Sequence, residues 1–120
     1  AIANPALAPY GVASEEILQR ARVGPLPTAN KVLGDNIGQA TQFVATGAAQ
    51  AGITALALAQ APEIAAHVQA LPLPTDLHAP LHQRMVLLKG AGQAATDWHR
   101  FLLSPSAQAV FVRHGYALPQ

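Results

Sequence analysis

The stretch that decides the fold is AIANPALAPYGVASEEILQR, residues 1–20. Residues 1–4 are typical of the end of a short buried strand, and the prolines in residues 5–9 predict a loop, because proline and the residue before it resist helix. In residues 10–22 apolar side chains recur at helical spacing, namely at Ala13, Ile17, Leu18 and Ala21. A strand should therefore run into a helix through residues 9–11, and this junction needs an explanation.

A second strand-to-helix junction follows the first. Gly24-Pro25 and Pro27 predict the end of the first helix and a connector. Residues 31–33 are typical of a short strand. The polar residues after it predict a helix start, with Asp35 or Asn36 as the N-cap.

The alternation of strands and helices predicts an α/β fold. The second helix carries one apolar face, made of Ile37, Ala40, Phe43 and Val44. Gly47 is placed to end that helix, and residues 51–57 are typical of a strand buried on both faces. We expect a parallel or mixed sheet flanked by helices, with right-handed crossovers.

The rhythm changes in the last third of the chain. Residues 68–73 and 84–88 predict further strands, separated by proline-rich sequence. The first of two closing helices should bury Ala95, Trp98, Phe101 and Leu102. The second should begin at Ser104-Pro105, end at Gly115, and bury Ala107, Val110 and Phe111.

Composition excludes several classes of function. The 120 residues suffice for one domain, and a net charge of +1 without a basic run argues against nucleic-acid binding. The absence of cysteine excludes disulfides and thiolate metal sites. The chain begins at alanine, so we expect any signal peptide to be gone and the segment to be processed or cut. Residues 36–62 carry no charge, but the glutamines and glycines within them favour a buried helix–turn–strand unit over a membrane span.

The two helix starts predict an anion site. Residues 9–11 and 36–38 each place backbone N–H groups at the positive end of a helix dipole, at the carboxyl edge of a parallel sheet. Tyr10 adds a hydroxyl donor, while Gly11 and Gly38 leave room for close approach of an anion. The same residue types are also ordinary at helix starts, so an interpretation without a ligand stays open.

Other chemistry has weaker support. His78 and His82 have the spacing of a helical metal pair, but Pro80 breaks the helix, so a solvated loop is favoured. Glu15-Glu16 stabilise a helix start and point in different directions. No nucleophile motif or evident base accompanies Ser14, Ser104 and Ser106.

Residues 4–11, NPALAPYG, resemble the NP/DP-x-x-APYG segment of the periplasmic molybdate-binding proteins of ABC transporters. The resemblance continues in order over nearly the whole chain, through residues 33–40, 44–53, 55–56, 104–111 and 115–116. It implies the second lobe of a type II periplasmic binding protein, which is not an enzyme and holds its oxyanion between two lobes through neutral donors.

The resemblance also implies roles for individual residues. Tyr10 and Ile37 match positions that contact the oxyanion. The helix starts themselves add Gly11, Asn36 and Gly38 as candidate supporting residues. The ligand would be molybdate or tungstate, held through its oxygens without a direct metal ligand and without a cofactor. Some members place a tyrosine where this chain has Ala55 or its neighbours, which fits the members that use the APYG tyrosine.

By the same resemblance, residues 1–88 form the substrate-binding lobe and residues 89–120 a helical segment that packs on the first lobe. That lobe would lie upstream, and the apolar face of Trp98, Phe101 and Leu102 would then need a companion fragment or self-association. The other implied partners are the membrane subunits of an ABC transporter. The alternatives are the ligand-sensing domain of a transcriptional regulator on this fold, a binding protein for sulfate, phosphate or an organic anion, and, more distantly, an enzyme.

Overall fold

The structure is a computed structural model that describes residues 1–23 and 26–118. The chain divides into two compact units, residues 1–81 and 82–120. The predicted connector residues Gly24 and Pro25 lie outside the described residues. The lobe boundary expected after residue 88 stays a prediction.

The first unit is built on a parallel pair of strands. Strand β1 (Ile2–Ala3) pairs with β2 (Leu33–Gly34), with Ile2 opposite Leu33 and Ala3 opposite Gly34. The Ile2 N–H donates to the Val32 carbonyl at 3.0 Å, and the Asn4 N–H donates to the Gly34 carbonyl at 2.7 Å. The α/β class with a parallel sheet and flanking helices is therefore confirmed.

The two predicted helices follow these strands. Helix α1 spans Pro9–Arg20, with Pro9 at its first position, where its missing N–H costs nothing. Helix α2 spans Ile37–Ala45. It ends before Gly47, whose φ of +80° is the left-handed conformation that glycine adopts without strain.

The core of residues 1–81 is small and rich in alanine. Ile2 and Ala3 point to opposite faces of the sheet and are both buried, and α1 and α2 both pack against β1. Both faces of β1 are thus covered. Apolar residues buried elsewhere in this unit are Ala13, Ile17, Ala40, Ala49, Ala59 and Ile64.

The strand predicted over residues 51–57 is wrong. Only its beginning lies beside β1: the Ala1 amino group donates to the Ala51 carbonyl, and the Ile53 N–H donates to the Ala1 carbonyl at 3.1 Å. The chain then forms helix α3 (Leu56–Ala59) and helix α4 (Pro62–Ala65). Alanine and leucine are the strongest helix formers, which explains why the run leaves the sheet.

The strands predicted over residues 68–73 and 84–88 are also wrong. Both stretches are irregular and largely exposed, and the first leads into a short 3-10 turn at Thr75–Leu77. Prolines in and after residues 68–73 remove ladder donors. Among the described residues of the second unit no strand is available to pair with residues 84–88.

The second unit contains helix α5 (Gln93–Leu102) and helix α6 (Pro105–Arg113). Ser104 caps α6 as predicted, since its Oγ accepts from the Ala107 N–H at 3.4 Å. The predicted burial is wrong for most of the apolar positions, because the described residues of this unit form two helices and no sheet that could cover them. Exposed are Ala95, Trp98, Phe101 and Val110, while Leu102 and Phe111 are half-buried and Ala107 is buried.

No helix in the described part of the chain combines the length and the apolar character that crossing a membrane requires. The charge-free residues 36–62 form α2, an extended segment, α3 and the start of α4. The helix–turn–strand interpretation of this stretch was therefore right for its helix and wrong for its strand.

Candidate functional site

Both predicted helix starts lie at one edge of the sheet. The carboxyl ends of β1 and β2 meet there because the strands are parallel and in register. Helices α1 and α2 begin a few residues beyond these strand ends. Tyr10 in the first turn of α1 and Ile37 at the first position of α2 are therefore brought to the same edge.

Side chains cap the start of α2. Asn36 is the N-cap, and its Oδ1 accepts from the Gln39 N–H at 3.0 Å. The Gln39 Oε1 in turn accepts from the Asp35 N–H at 2.6 Å, a variant of the capping box. Among the described residues no hydrogen bond from the N–H groups of Ile37 and Gly38 is formed. These two amides sit at the positive end of the helix dipole.

At the start of α1, backbone hydrogen bonds take the place of a side-chain cap. Pro9 has no N–H, and the Gly11 N–H donates to the Ala8 carbonyl at 2.9 Å. The carbonyl of Asn4 accepts from the Ala8 N–H at 2.9 Å, which holds the loop before the helix. Tyr10, half-buried in this first turn, gives the junction a phenolic hydroxyl that α2 lacks. The two helix starts thus carry different kinds of donor.

The two supporting glycines have different surroundings. A Cβ on Gly11 would lie 2.4 Å from the Ala3 carbonyl oxygen and 2.5 Å from the Pro5 nitrogen. Gly11 is therefore required by the packing of α1 against the end of β1. A Cβ on Gly38 would meet only the Asn36 Oδ1, at 3.2 Å.

Charge at this edge comes from dipoles and not from cationic side chains. Residues 4–11 and 34–39 contain no lysine or arginine, and their one charged residue is Asp35, which is exposed. An anion bound here would be held by N–H and O–H groups.

Comparison with known proteins identifies the family. A family model described as bacterial extracellular solute-binding protein matches residues 1–117. The chain belongs to this family.

Two curated relatives of this solute-binding chain are molybdate-binding proteins ModA. The one from Azotobacter vinelandii is 37% identical over 122 residues, which cover 98% of this chain and 47% of the relative. The one from Rhodobacter capsulatus is 36% identical over 118 residues, which cover 97% of this chain and 46% of the relative. The chain thus spans about half the length of these relatives. No solved structure matches it significantly.

Two buried hydroxyls lie directly behind the helix starts of this solute-binding chain, and the sequence interpretation missed them. The Ser14 Oγ donates to the Tyr10 carbonyl at 2.7 Å, and the Thr41 Oγ1 donates to the Ile37 carbonyl at 2.7 Å. Each hydroxyl stands four residues after a predicted binding residue. That spacing on an otherwise apolar helix face is the signal that would have found them.

The irregular segment at residues 51–55, which leads into α3, reaches the same region. The hydroxyl of Thr54 contacts the Thr41 hydroxyl on α2. Ala55, the position at which the resemblance places a tyrosine in some members, is the half-buried N-cap of α3.

Two clefts in residues 1–81 lie away from the predicted contacts. A cleft of about 420 Å³ runs between the loop at Pro5 and Leu7, the side of α1 at Val12, and residues 79–81. A smaller one of about 190 Å³ lies between Leu18 and residues 51–53. Neither of these two clefts is lined by Tyr10 or Ile37, both of which are half-buried.

The remaining candidates have structural partners. Lys31 Nζ lies 2.7 Å from the Glu15 carboxylate, and the Glu16 carboxylate accepts from the Ala79 N–H at 2.7 Å. The His78 ring Nδ1 lies 2.8 Å from the Ala79 carbonyl. Within the described residues no group of three or more metal-ligating side chains occurs.

Proposed function

We propose that the chain is the second lobe of the substrate-binding component of an ABC importer, and that it captures molybdate or tungstate in the periplasm. The observation that supports this most is the pair of helix starts at one strand edge, with neutral donors only. The identity of the oxyanion in this proposal comes from the names of the two relatives.

The mechanism is binding without catalysis. The dianion exchanges water for oriented donors: the amides of Ile37 and Gly38 and the hydroxyl of Tyr10. Hydrogen bonds to a charged group contribute about 1.5–3 kcal/mol net each. Asn36 supports the site by fixing the first turn of α2, and Gly11 supports it by letting α1 approach β1. Cavity size between the lobes would separate molybdate from sulfate, since the two ions share charge and shape.

Residues 1–88 would act as the substrate-binding lobe, and residues 89–120 would pack on another lobe or on a second copy of the chain. The exposed, stacked rings of Trp98 and Phe101, with centroids 5.5 Å apart, supply the apolar surface for that contact, together with the half-buried Leu102. The membrane subunits of the importer would receive the loaded protein.

Calorimetric titration of the complete gene product with molybdate, tungstate and sulfate tests the ligand. We expect binding of molybdate or tungstate at least tenfold tighter than sulfate, on the order of 1.4 kcal/mol. Equal affinity for sulfate, or no binding of any of the three ions, would overturn the proposal.

Tyr10→Phe tests the hydroxyl donor. We expect molybdate affinity to fall at least about tenfold, because a charge-assisted hydrogen bond is lost. Tyr116→Phe is the matched control, since Tyr116 lies in the other unit beside Phe111. Unchanged affinity in Tyr10→Phe would remove the hydroxyl from the site.

A further inference from the structure

Two buried polar side chains stand behind the two predicted binding residues. Ser14 is 0% exposed and Thr41 is 4% exposed, and no other described residue is both polar and buried. Their hydroxyls donate to the carbonyls of Tyr10 and Ile37, each four residues earlier. Both bonds therefore lie in the first turn of a helix that begins at the same strand edge.

The bonds of these two hydroxyls are local to each helix start. Burying a hydroxyl is unfavourable unless it is bonded, and each of these two donates to a backbone carbonyl of its own helix. A bond from serine or threonine to the carbonyl four residues earlier slightly weakens a helix. Exposed residues make such bonds too: the Thr46 hydroxyl donates to the Gln42 carbonyl at 2.8 Å. Burial at a helix start is what distinguishes Ser14 and Thr41.

At α2 the bond acts on an amide that faces the predicted site. The Ile37 carbonyl shares its peptide group with the Gly38 N–H, so a donor on the carbonyl polarises that N–H and strengthens it toward an acceptor. The single proton of the Thr41 hydroxyl goes to Ile37, so the Thr54 hydroxyl must donate to Thr41. The relay Thr54–Thr41–Ile37 thus connects residues 51–55 to the start of α2.

At α1 the bond acts on the residue that carries the phenol. Ser14 holds the Tyr10 carbonyl, and with it the orientation of the backbone from which the Tyr10 ring projects. Because Ser14 is completely enclosed, its hydroxyl has little freedom to turn to another acceptor.

We propose that Ser14 and Thr41, the latter through its relay from Thr54, are positioning residues that hold the first turns of α1 and α2 in the geometry that binds the oxyanion. This proposal rests on the proposed function for the identity of the ligand. It assigns the hydroxyls no contact with the ligand.

Affinity is measured first, by titrating molybdate into the complete gene product. Thr41→Val keeps the shape and removes the hydroxyl, and we expect affinity to fall about fivefold, the value of one ordinary hydrogen bond. Thr41→Ser should restore it, and Thr54→Val, which leaves the Thr41–Ile37 bond in place, should show a smaller loss. Thr46→Val is the matched control and should bind like the wild type. Ser14→Ala should lose affinity as Thr41→Val does.

A second measurement needs no ligand. The amide ¹⁵N resonance of Gly38 reports the hydrogen bond to the preceding carbonyl, so it should move upfield in Thr41→Val and return in Thr41→Ser. Thr46→Val should leave it in place. If the Gly38 resonance does not move in Thr41→Val, the proposal is overturned, whether or not molybdate binds. If the Gly38 resonance shifts as expected but the protein binds no oxyanion, the Thr41 hydroxyl does position the first turn of α2. In that case its role in binding is overturned, and the proposed function fails on its own account.

Discussion

The β1–α1 and β2–α2 junctions occupy the same place in the fold and are built differently. Two residues, Asp35 and Asn36, connect β2 to α2, and side chains cap that helix. Five residues, 4–8, connect β1 to α1, and backbone bonds with Pro9 take the place of a side-chain cap. In the short junction the described hydrogen bonds leave out the amides of Ile37 and Gly38, whereas the long one carries Tyr10 in the first turn of its helix. Two similar helix starts can therefore supply complementary donors.

The glycines of the two junctions give the largest expected difference. Gly11→Ala would force a Cβ against the backbone of Ala3 and Pro5, so we expect a loss of about 3 kcal/mol or more in the free energy of unfolding. Gly38→Ala meets only a side-chain oxygen and should change that free energy by less than about 1 kcal/mol. Urea denaturation of the two variants checks this contrast. Equal losses would show that the packing of α1 against β1 does not depend on a glycine at position 11.

Local signals predicted these junctions well. Pro9 at a helix start, Asn36 as a cap and Gly47 as a stop act through backbone geometry within a few residues, so the sequence alone shows them. Ser104 and Gly115 bound α6 for the same reason.

The errors came where tertiary pairing decides the structure. Residues 84–88 are apolar enough for a buried strand. A strand forms, however, only where another strand pairs with its backbone hydrogen-bonding groups. The run at residues 55–59 has leucine and alanine in alternation, which suits a buried strand and a short helix equally. Whether Trp98 is covered depends on surfaces that lie beyond its own helix. Apolar periodicity does not predict the buried hydroxyls of Ser14 and Thr41, because a polar residue on a buried helix face adds nothing to that pattern.

The cap of α2 should give the next largest effect. Asn36→Ala removes the acceptor of the Gln39 N–H, and we expect a loss of about 1 kcal/mol in the free energy of unfolding. Asn36→Ser keeps an N-cap acceptor and should recover most of that loss. Thermal and urea unfolding provide the measurement. If the alanine and serine variants were equally stable, the cap would not contribute to stability.

The start of α1 has no side-chain cap, so a substitution that adds one should increase the free energy of unfolding. Ala8 has the extended backbone of an N-cap but no side-chain acceptor, so Ala8→Ser should stabilise the protein by about 0.5 kcal/mol. Ala8→Asp should stabilise it similarly through the helix dipole. The aspartate would also repel an oxyanion, so only Ala8→Asp should weaken molybdate binding. Equal binding by both variants would place the anion away from this helix start.

A comparably small effect is expected at the ion pair that links the two junctions. Lys31 precedes β2 and pairs with Glu15 on α1 at 2.7 Å, with side chains 20% and 30% exposed. A double-mutant cycle with Glu15→Gln and Lys31→Met should give a coupling of about 0.5 kcal/mol, which added salt should weaken. The pair Asp97–Arg100, at 3.1 Å and more exposed, is the control and should show a smaller coupling. A coupling at Glu15–Lys31 no larger than that of the control would mean that packing against β1, and not this charge pair, holds α1 beside the entry to β2.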